Sequence, residues 1–204
     1  MRKVFGLICI ILGICCILSA AALVVYNQIE ASRAGEASDS LLQDVNALML
    51  SPQKPESVQT QADIETENTV LHHEMLTAKV DGYDCVGVLA SPVLELELPV
   101  LTDWSYEKLK LAPCHYFGNC SEPNFVIAAH NYESHFGRLK QLLAGDLVLF
   151  TDIAGNVHCY EVVLIETLAA TATEEMLTSG FDLSLYTCTP GGASRVTARC
   201  KLVS

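Results

Sequence analysis

Basic residues are scarce in this chain of 204 residues. Only 12 Lys and Arg stand against 24 Asp and Glu, which gives a formal net charge of −12. Nucleic acids and anionic surfaces are bound through clusters or stripes of Lys and Arg, and the sequence contains none. The composition therefore excludes nucleic acid as a partner.

Charge is missing altogether from residues 4–26. As a helix, these roughly 23 residues rise about 34 Å, enough to cross a hydrocarbon core about 30 Å thick. Arg2 and Lys3 precede the run and mainly acidic residues follow it, so the positive-inside rule predicts a cytoplasmic N-terminus and an extracellular remainder. A cleaved signal peptide is the alternative, because small residues at 19–22 resemble a cleavage site. The apolar run continues to Tyr26, which favours a retained single-pass anchor in the cell membrane.

The remaining sequence divides into a polar, acidic arm at 27–80 and a folded domain at 81–204. Apolar residues at helical spacing predict that part of the arm is helical; they are Leu41, Leu42, Val45, Leu48 and Met49. Residues 53–69 contain too few apolar side chains to bury and predict a linker. His72 and His73 are adjacent, so their side chains diverge on a helix and predict a solvated segment rather than a metal site.

The domain at 81–204 shows strand patterns almost throughout. The predicted strands are 83–90, 93–100, 125–129, 147–151, 157–165, 183–188 and a final strand from 195. Helical spacing of apolar residues between 130 and 145 predicts one short helix. Thr171 and Glu174 resemble a capping box that opens a second, which Gly180 closes. Many short strands with one or two short helices predict a mainly β fold, a closed β-barrel that leaves no exposed sheet edge.

The last two predicted strands place a cysteine beside an arginine. Pro190-Gly191-Gly192 is typical of a turn, so Cys188 ends one strand and Arg195 begins the next. Arg199 lies four residues further on, about 13 Å along the strand. A free cysteine is most often a buried packing residue, but a reactive thiolate requires a cation or hydrogen-bond donors nearby. His130, at the end of the strand 125–129, is a second candidate for the same site.

Three segments carry a resemblance to a known family. Leu-Tyr-Thr-Cys-Thr-Pro at 185–190 with Arg195, Ile-Ala-Ala-His-Asn at 127–131, and Gly-Val-Leu at 87–89 leading into 94–100 resemble the sortases. Sortases are cell-wall cysteine transpeptidases of Gram-positive bacteria. The resemblance implies a sortase-type barrel over 81–204.

The resemblance also implies site residues and a reaction. Cys188 would be the nucleophile, His130 the proton-transfer partner, and Arg195 the donor that stabilises charge on the substrate. The substrate would be a secreted protein with a Leu-Pro-x-Thr-Gly-like sorting signal, and the acceptor an amine of a peptidoglycan precursor or a pilin. No cofactor is expected. Some sortases bind calcium through clustered acids, for which Glu174 and Glu175 are candidates, but acids at a helix start more often interact with the helix dipole.

Alternatives remain for the function and for several side chains. An L,D-transpeptidase-like enzyme would need a Ser-x-Gly-Cys-type motif, which is missing before Cys188. An inactive barrel that binds wall components is the other alternative. His135 is predicted to have a surface or packing role. Cys114 and Cys120 are close enough in sequence to form a small disulfide loop, while Cys85 and Cys200 are predicted core thiols.

Overall fold

The computed structural model describes residues 2–50 and 75–203. Its elements in chain order are α1 (Arg2–Leu50), β1 (Ala78–Val80), β2 (Tyr83–Ser91), β3 (Leu96–Leu101), α2 (Tyr106–Leu109), β4 (Cys114–Phe117), β5 (Phe125–Ala128), β6 (Leu147–Asp152), β7 (Val157–Ala169), α3 (Thr173–Leu177), β8 (Leu183–Cys188) and β9 (Ser194–Leu202). The linker predicted at 53–69, together with His72 and His73, lies outside the described residues.

Eight strands close into a barrel, which confirms the predicted fold class. They follow the order β2-β3-β4-β5-β8-β9-β7-β6, and pairing of β6 with β2 closes the ring. β1 pairs with the start of β2, outside the ring. Most neighbours are antiparallel, but β5 and β8 run parallel, so their carboxyl ends meet at the same end of the barrel.

Closure depends on Gly87. At this residue the register between β2 and β3 shifts, and the pairing of β2 with β6 begins. A Cβ on this residue would lie 2.2 Å from the carbonyl oxygen of Thr151 and 2.8 Å from the Phe150 ring. No larger residue fits there without moving the backbone of β6. The glycine is therefore a requirement of the barrel seam.

The barrel interior is filled by apolar side chains from every one of its strands except β4. The largest are Phe125, Phe150, Tyr160, Ile127, Leu183 and Leu185, all fully or almost fully buried. Phe125 and Phe150 meet edge to face, with ring centroids 5.0 Å apart. Burying each such side chain contributes about 1.5–3 kcal/mol, so the interior holds the strand ends in fixed relative positions.

Helix α1 extends well beyond the predicted membrane span. Its apolar first half exposes large side chains as far as Tyr26. Among the described residues, α1 is the single helix that is both long enough and apolar enough to cross a bilayer. The second half then buries one stripe of side chains against the outside of the barrel; these are Ala34, Ser38, Leu41 and Val45. Of these, Leu41 and Val45 pack with residues of β1, β2, β3 and β4, including Val80, Val88, Leu101 and Cys114.

The helix predicted around residues 41–49 is thus confirmed, but it is not part of a free arm. Its spacing of buried residues matches one face of a helix, and that face is covered by the barrel. The first strand, β1, also begins at Ala78, just before the predicted domain boundary at 81. The residues from 27 to 50 therefore form a continuous helical connection between the apolar run and the barrel.

Several local predictions were wrong. The helix expected between 130 and 145 is only a single 3₁₀ turn, Leu139–Gln141, because its apolar residues are buried from an otherwise irregular segment. α3 begins at Thr173 after Ala172, and no side chain caps it, so Thr171 does not form the expected capping box. Cys114 and Cys120 are both free thiols, so the disulfide that their spacing allows, which the sequence left open, is not formed.

Candidate active site

Three strand ends bring the predicted site residues into one row. In the parallel pair of β5 and β8, Ala128 is opposite Tyr186, and the next amide, that of Ala129, donates to the Tyr186 carbonyl at 3.1 Å. His130 and Cys188 each lie two residues beyond that pair. Neighbouring strands are about 4.8 Å apart, so the two backbones are level and adjacent.

Arg195 completes the row on the other side of the cysteine. β8 and β9 are antiparallel, and Cys188 and Arg195 are direct Cα partners. The hairpin between them needs left-handed backbone at Gly191 and Gly192, with φ angles of 83° and 75°, which glycine adopts without steric cost. Cys188 and Arg195 are therefore neighbours on two paired strands, and His130 follows the end of the third, β5.

The turn holds the arginine in place. Nη1 of Arg195 donates to the carbonyl of Gly192 at 2.9 Å and to that of Ser194 at 3.1 Å. Thr189 and Ser194 brace the same turn, since the Ser194 amide donates to the Thr189 hydroxyl at 3.1 Å. Guanidinium has five N–H donors, so two bonds from Nη1 leave others for a ligand.

Cys188 and Arg195 line a narrow groove of about 140 Å³. One wall is aromatic: the Trp104 ring lies 5.6 Å from Tyr116, and Tyr116 lies 5.4 Å edge to face from Tyr186. The opposite wall comes from the segment around α3, with Ala172, Thr173 and Met176. A groove lined by apolar side chains, a thiol and a guanidinium suits a peptide whose carbonyl meets the two polar groups.

His130 lines a different, larger cavity of about 810 Å³ between α1 and the barrel. Its ring stacks on Tyr132, with centroids 3.8 Å apart and planes 15° from parallel. Its buried Nδ1 has no hydrogen-bond partner among the described residues. Partial burial lowers the pKa of His130, while a hydrogen bond with the Asn131 side chain acts in the opposite direction.

Comparison with known proteins identifies the family. Residues 89–203 match the model of the sortase domain, more than half of the chain. The chain belongs to the sortase family. A comparison with curated proteins found no match.

Solved sortase structures share this fold. Sortase A from Corynebacterium diphtheriae is 19% identical with a TM-score of 0.54, and the match covers 60% of this chain and 62% of that one. A Clostridium perfringens sortase D5 transpeptidase is 20% identical with a TM-score of 0.53, over 59% and 80% of the two chains. Sortase C1 from Streptococcus suis is 28% identical with a TM-score of 0.52, over 59% and 73%. Membership of this family supports the interpretation of the protein as a cysteine transpeptidase.

The competing arginine of this sortase is structural. Arg199 is 2% exposed and lies opposite Ser184, four residues before Cys188 on β8. Its Nε donates to Glu166 at 2.7 Å, its Nη1 to the Ser184 hydroxyl at 2.8 Å, and its Nη2 to the carbonyl of Glu175 at 2.8 Å. These bonds attach α3, and with it one wall of the groove, to the barrel.

His135 is fully buried, so the packing role is confirmed and the surface role is wrong. Neither ring nitrogen meets a hydrogen-bond partner among the described residues. Burial lowers the pKa of His135 to about 4, and the nearby His130 acts in the same direction. The ring is therefore neutral at physiological pH.

The candidate calcium ligands lie on the first turn of α3, where Glu174 and Glu175 are exposed. Within residues 2–50 and 75–203, one group of three His, Cys, Asp or Glu side chains is close enough to share an ion, and neither glutamate belongs to it. Sequence reasoning also missed Trp104 and Tyr116. Both lie in short segments around α2 and β4 that show no periodic pattern.

Proposed function

We propose that this sortase is a membrane-anchored cysteine transpeptidase that cleaves a Leu-Pro-x-Thr-Gly-like sorting signal through a thioacyl enzyme. The observation that carries the proposal is the direct pairing of Cys188 with Arg195 on β8 and β9, with His130 two residues beyond the end of the neighbouring strand β5. Cysteine acyl transfer requires a thiol, a group that transfers protons and a donor for the oxyanion, and these three residues supply those groups.

Each residue has one role in the first step. The Cys188 thiolate attacks the carbonyl carbon of the scissile peptide bond and forms a tetrahedral intermediate. Arg195 donates hydrogen bonds to the oxyanion and cannot act as a base, because its guanidinium stays protonated. His130 delivers a proton to the leaving amine as the C–N bond breaks, which leaves a thioester on Cys188.

The second step returns the enzyme to its starting state. An amine attacks the thioester carbonyl, loses a proton to His130, and displaces the thiolate of Cys188. The amine belongs to a peptidoglycan precursor or to another surface protein such as a pilin, and water in its place gives hydrolysis. The net reaction exchanges one peptide bond for another and needs no cofactor.

The groove supports a peptide substrate. Its aromatic wall at Trp104, Tyr116 and Tyr186 offers apolar surface for leucine and proline side chains, and proline-containing segments are recognised on such surfaces in extended form. Ala128 and Ala129, which also line the groove, are small. Small residues there let a peptide backbone approach the thiol.

The position of α1 supports action at the membrane surface. Tyr26, at the end of the apolar run, lines the same cavity as His130. The catalytic end of the barrel is thereby next to the membrane end of the helix. With Arg2 and Lys3 on the cytoplasmic side, the barrel would be extracellular and its site would face substrates that emerge from the bilayer.

The test is transfer of a peptide by the full chain in detergent micelles. We expect at least one member of a panel of sorting-signal peptides to be cleaved between its last two residues and joined to an added amine, as measured by mass spectrometry. A matched control is the same panel with the enzyme variant Cys159→Ser, whose thiol lies on β7 outside the groove. Failure of all peptides, or ligation that persists in Cys188→Ala, would refute the proposal.

A further inference from the structure

A second group of reactive side chains lies at the opposite end of the barrel. Cys120, in the loop before β5, meets Asp152 at the end of β6 and His158 at the start of β7, and their ligand atoms all lie within 4.8 Å of one another. From these residues we infer that the protein binds a zinc ion there. None of the three takes part in the proposed transpeptidation.

The strand register separates this group from the candidate active site. Arg195 and Leu202 are seven residues apart on β9, about 23 Å at 3.3 Å per residue. Leu202 is the partner of Tyr160, and His158 lies two residues beyond that pair at the far end of β7. Burial also raises the pKa of the Cys120 thiol, so without a bound cation it is no substitute for Cys188 as a nucleophile.

The spacing of imidazole and carboxylate fits two ligands of one ion. Nε2 of His158 is buried, has no hydrogen-bond partner among the described residues, and lies 3.6 Å from Oδ2 of Asp152. Two ligands each about 2.1 Å from a tetrahedral Zn²⁺ are about 3.4 Å apart. The pair is too long for a hydrogen bond and close to the separation that a shared zinc ion produces.

The surrounding bonds already orient the ligands. Asn156 holds the carboxylate of Asp152 from both sides: its amide donates to Oδ1 at 2.9 Å and its Nδ2 to Oδ2 at 2.9 Å. The hydroxyl of Tyr160 donates to the carbonyl of Cys120 at 3.0 Å and fixes the backbone of that residue. Such outer contacts are what metal sites use to preset their ligands.

The ligand types select the metal. A thiolate, an imidazole and a carboxylate suit Zn²⁺, whereas Ca²⁺ and Mg²⁺ require mainly oxygen ligands. Binding converts the Cys120 thiol to a thiolate and releases its proton to solvent, so no oxidant or reductant is involved. Asp152 and His158 retain side-chain exposures of 19% and 18%, which leaves room for water as the fourth ligand.

The bound ion would join two loops at this end of the barrel. Cys120 belongs to the connection between β4 and β5, while Asp152 and His158 flank the β6–β7 turn. A ligand that binds only the folded state stabilises it by mass action. Zinc is therefore expected to stabilise the folded barrel by linking these two loops at the end remote from the groove.

The test uses the full chain in detergent, stripped of metal with a chelator. The Cys188→Ala variant is the parent, because Cys188 and His130 could themselves bind zinc. Titration against a chromophoric zinc indicator should show one equivalent bound, and Zn²⁺ should raise the melting temperature. Cys120→Ser and His158→Gln should each weaken binding by at least about tenfold, and Asn156→Ala by about 10- to 100-fold.

Cys159→Ser is the matched control, since this thiol is next to His158 in sequence but outside the group, and its zinc affinity should match the parent. Co²⁺ added in place of Zn²⁺ should give a thiolate charge-transfer band that Cys120→Ser removes. If Cys120→Ser does not fold, His158→Gln decides. Absence of stoichiometric zinc in the parent, or affinity unchanged in the ligand variants, would overturn the inference.

Discussion

Cys188 and Arg195 are direct partners across the last hairpin of the barrel, and a turn that includes two glycines with left-handed backbone joins them. Arg199, the other arginine of β9, is instead the partner of Ser184. The register therefore assigns one arginine to the groove and the other to the wall behind it. The two arginines should respond to mutation in different ways.

Replacement of Arg195 should affect catalysis. Loss of one oxyanion donor typically costs about 2.7–4 kcal/mol in the transition state. We expect Arg195→Met to lower kcat/KM for peptide cleavage by about 10²- to 10³-fold, with little change in melting temperature because the side chain is partly exposed. Steady-state kinetics with a fluorogenic sorting-signal peptide measures this. A decrease of less than about threefold would argue against the proposed role.

Replacement of Arg199 should affect stability. Lysine keeps the charge but cannot reproduce the bonds to Glu166, Ser184 and Glu175 together. We expect Arg199→Lys to lower the free energy of unfolding by about 1–3 kcal/mol in a denaturant titration. The folded fraction should retain most of its transfer activity. Unchanged stability would show that this buried network contributes nothing.

The two arginines also show what the sequence does and does not reveal. The alternation of residues 183–188 and 195–202 predicts the hairpin and its register, which is enough to choose between them. The pattern does not reveal Glu166 and Ser184 as partners of Arg199, because these contacts depend on how β7, β8 and α3 meet. The pattern likewise does not reveal Trp104, which precedes α2, or Tyr116 on β4 as groove residues, because their contacts also depend on how separate elements meet.

Helix α1 is a similar case. The spacing of Leu41 and Val45 predicts a helix, but the polar composition around it gives no sign that the helix packs against the barrel. The buried stripe is narrow, four residues over three turns, so the average composition of the segment hides it. Long-range packing against β1–β4 decides the outcome, and no local pattern encodes that packing.

His130 should titrate below the ordinary imidazole value. Its partial burial lowers the pKa of His130, so at pH 6.5 the imidazole should be neutral in more than half of the molecules. NMR of isotope-labelled histidine in the full chain measures the midpoint, with a His130→Gln sample to assign the signal. A midpoint at or above 6.5 would mean that a nearby thiolate stabilises the imidazolium, and the Cys188→Ala variant would then lose that increase.

His135 should make the protein less stable in acid. Its pKa is about 4 in the folded state, against about 6.5 when unfolded, so the unfolded state binds more protons between these values. Stability is therefore complete above about pH 6.5 and falls as the pH decreases towards 4. The loss between pH 7 and pH 5 is about 2 kcal/mol.

His135→Leu removes this titration. The difference in melting temperature between pH 7 and pH 5 should shrink in the variant relative to the unmodified protein. Thermal unfolding followed by circular dichroism at the two pH values provides the comparison. An equal difference in both proteins would contradict a buried, neutral His135.

The central claim is that Cys188 is the nucleophile of a peptide-binding groove. Its most direct test is the intact mass of the full chain after rapid acid quenching of a reaction with a cleavable sorting-signal peptide and no added amine. We predict an adduct equal to the acyl portion of the peptide, located at Cys188 by fragmentation and absent from Cys188→Ala. An adduct on another cysteine, or cleavage without any adduct in a chain that still has Cys188, would contradict the account.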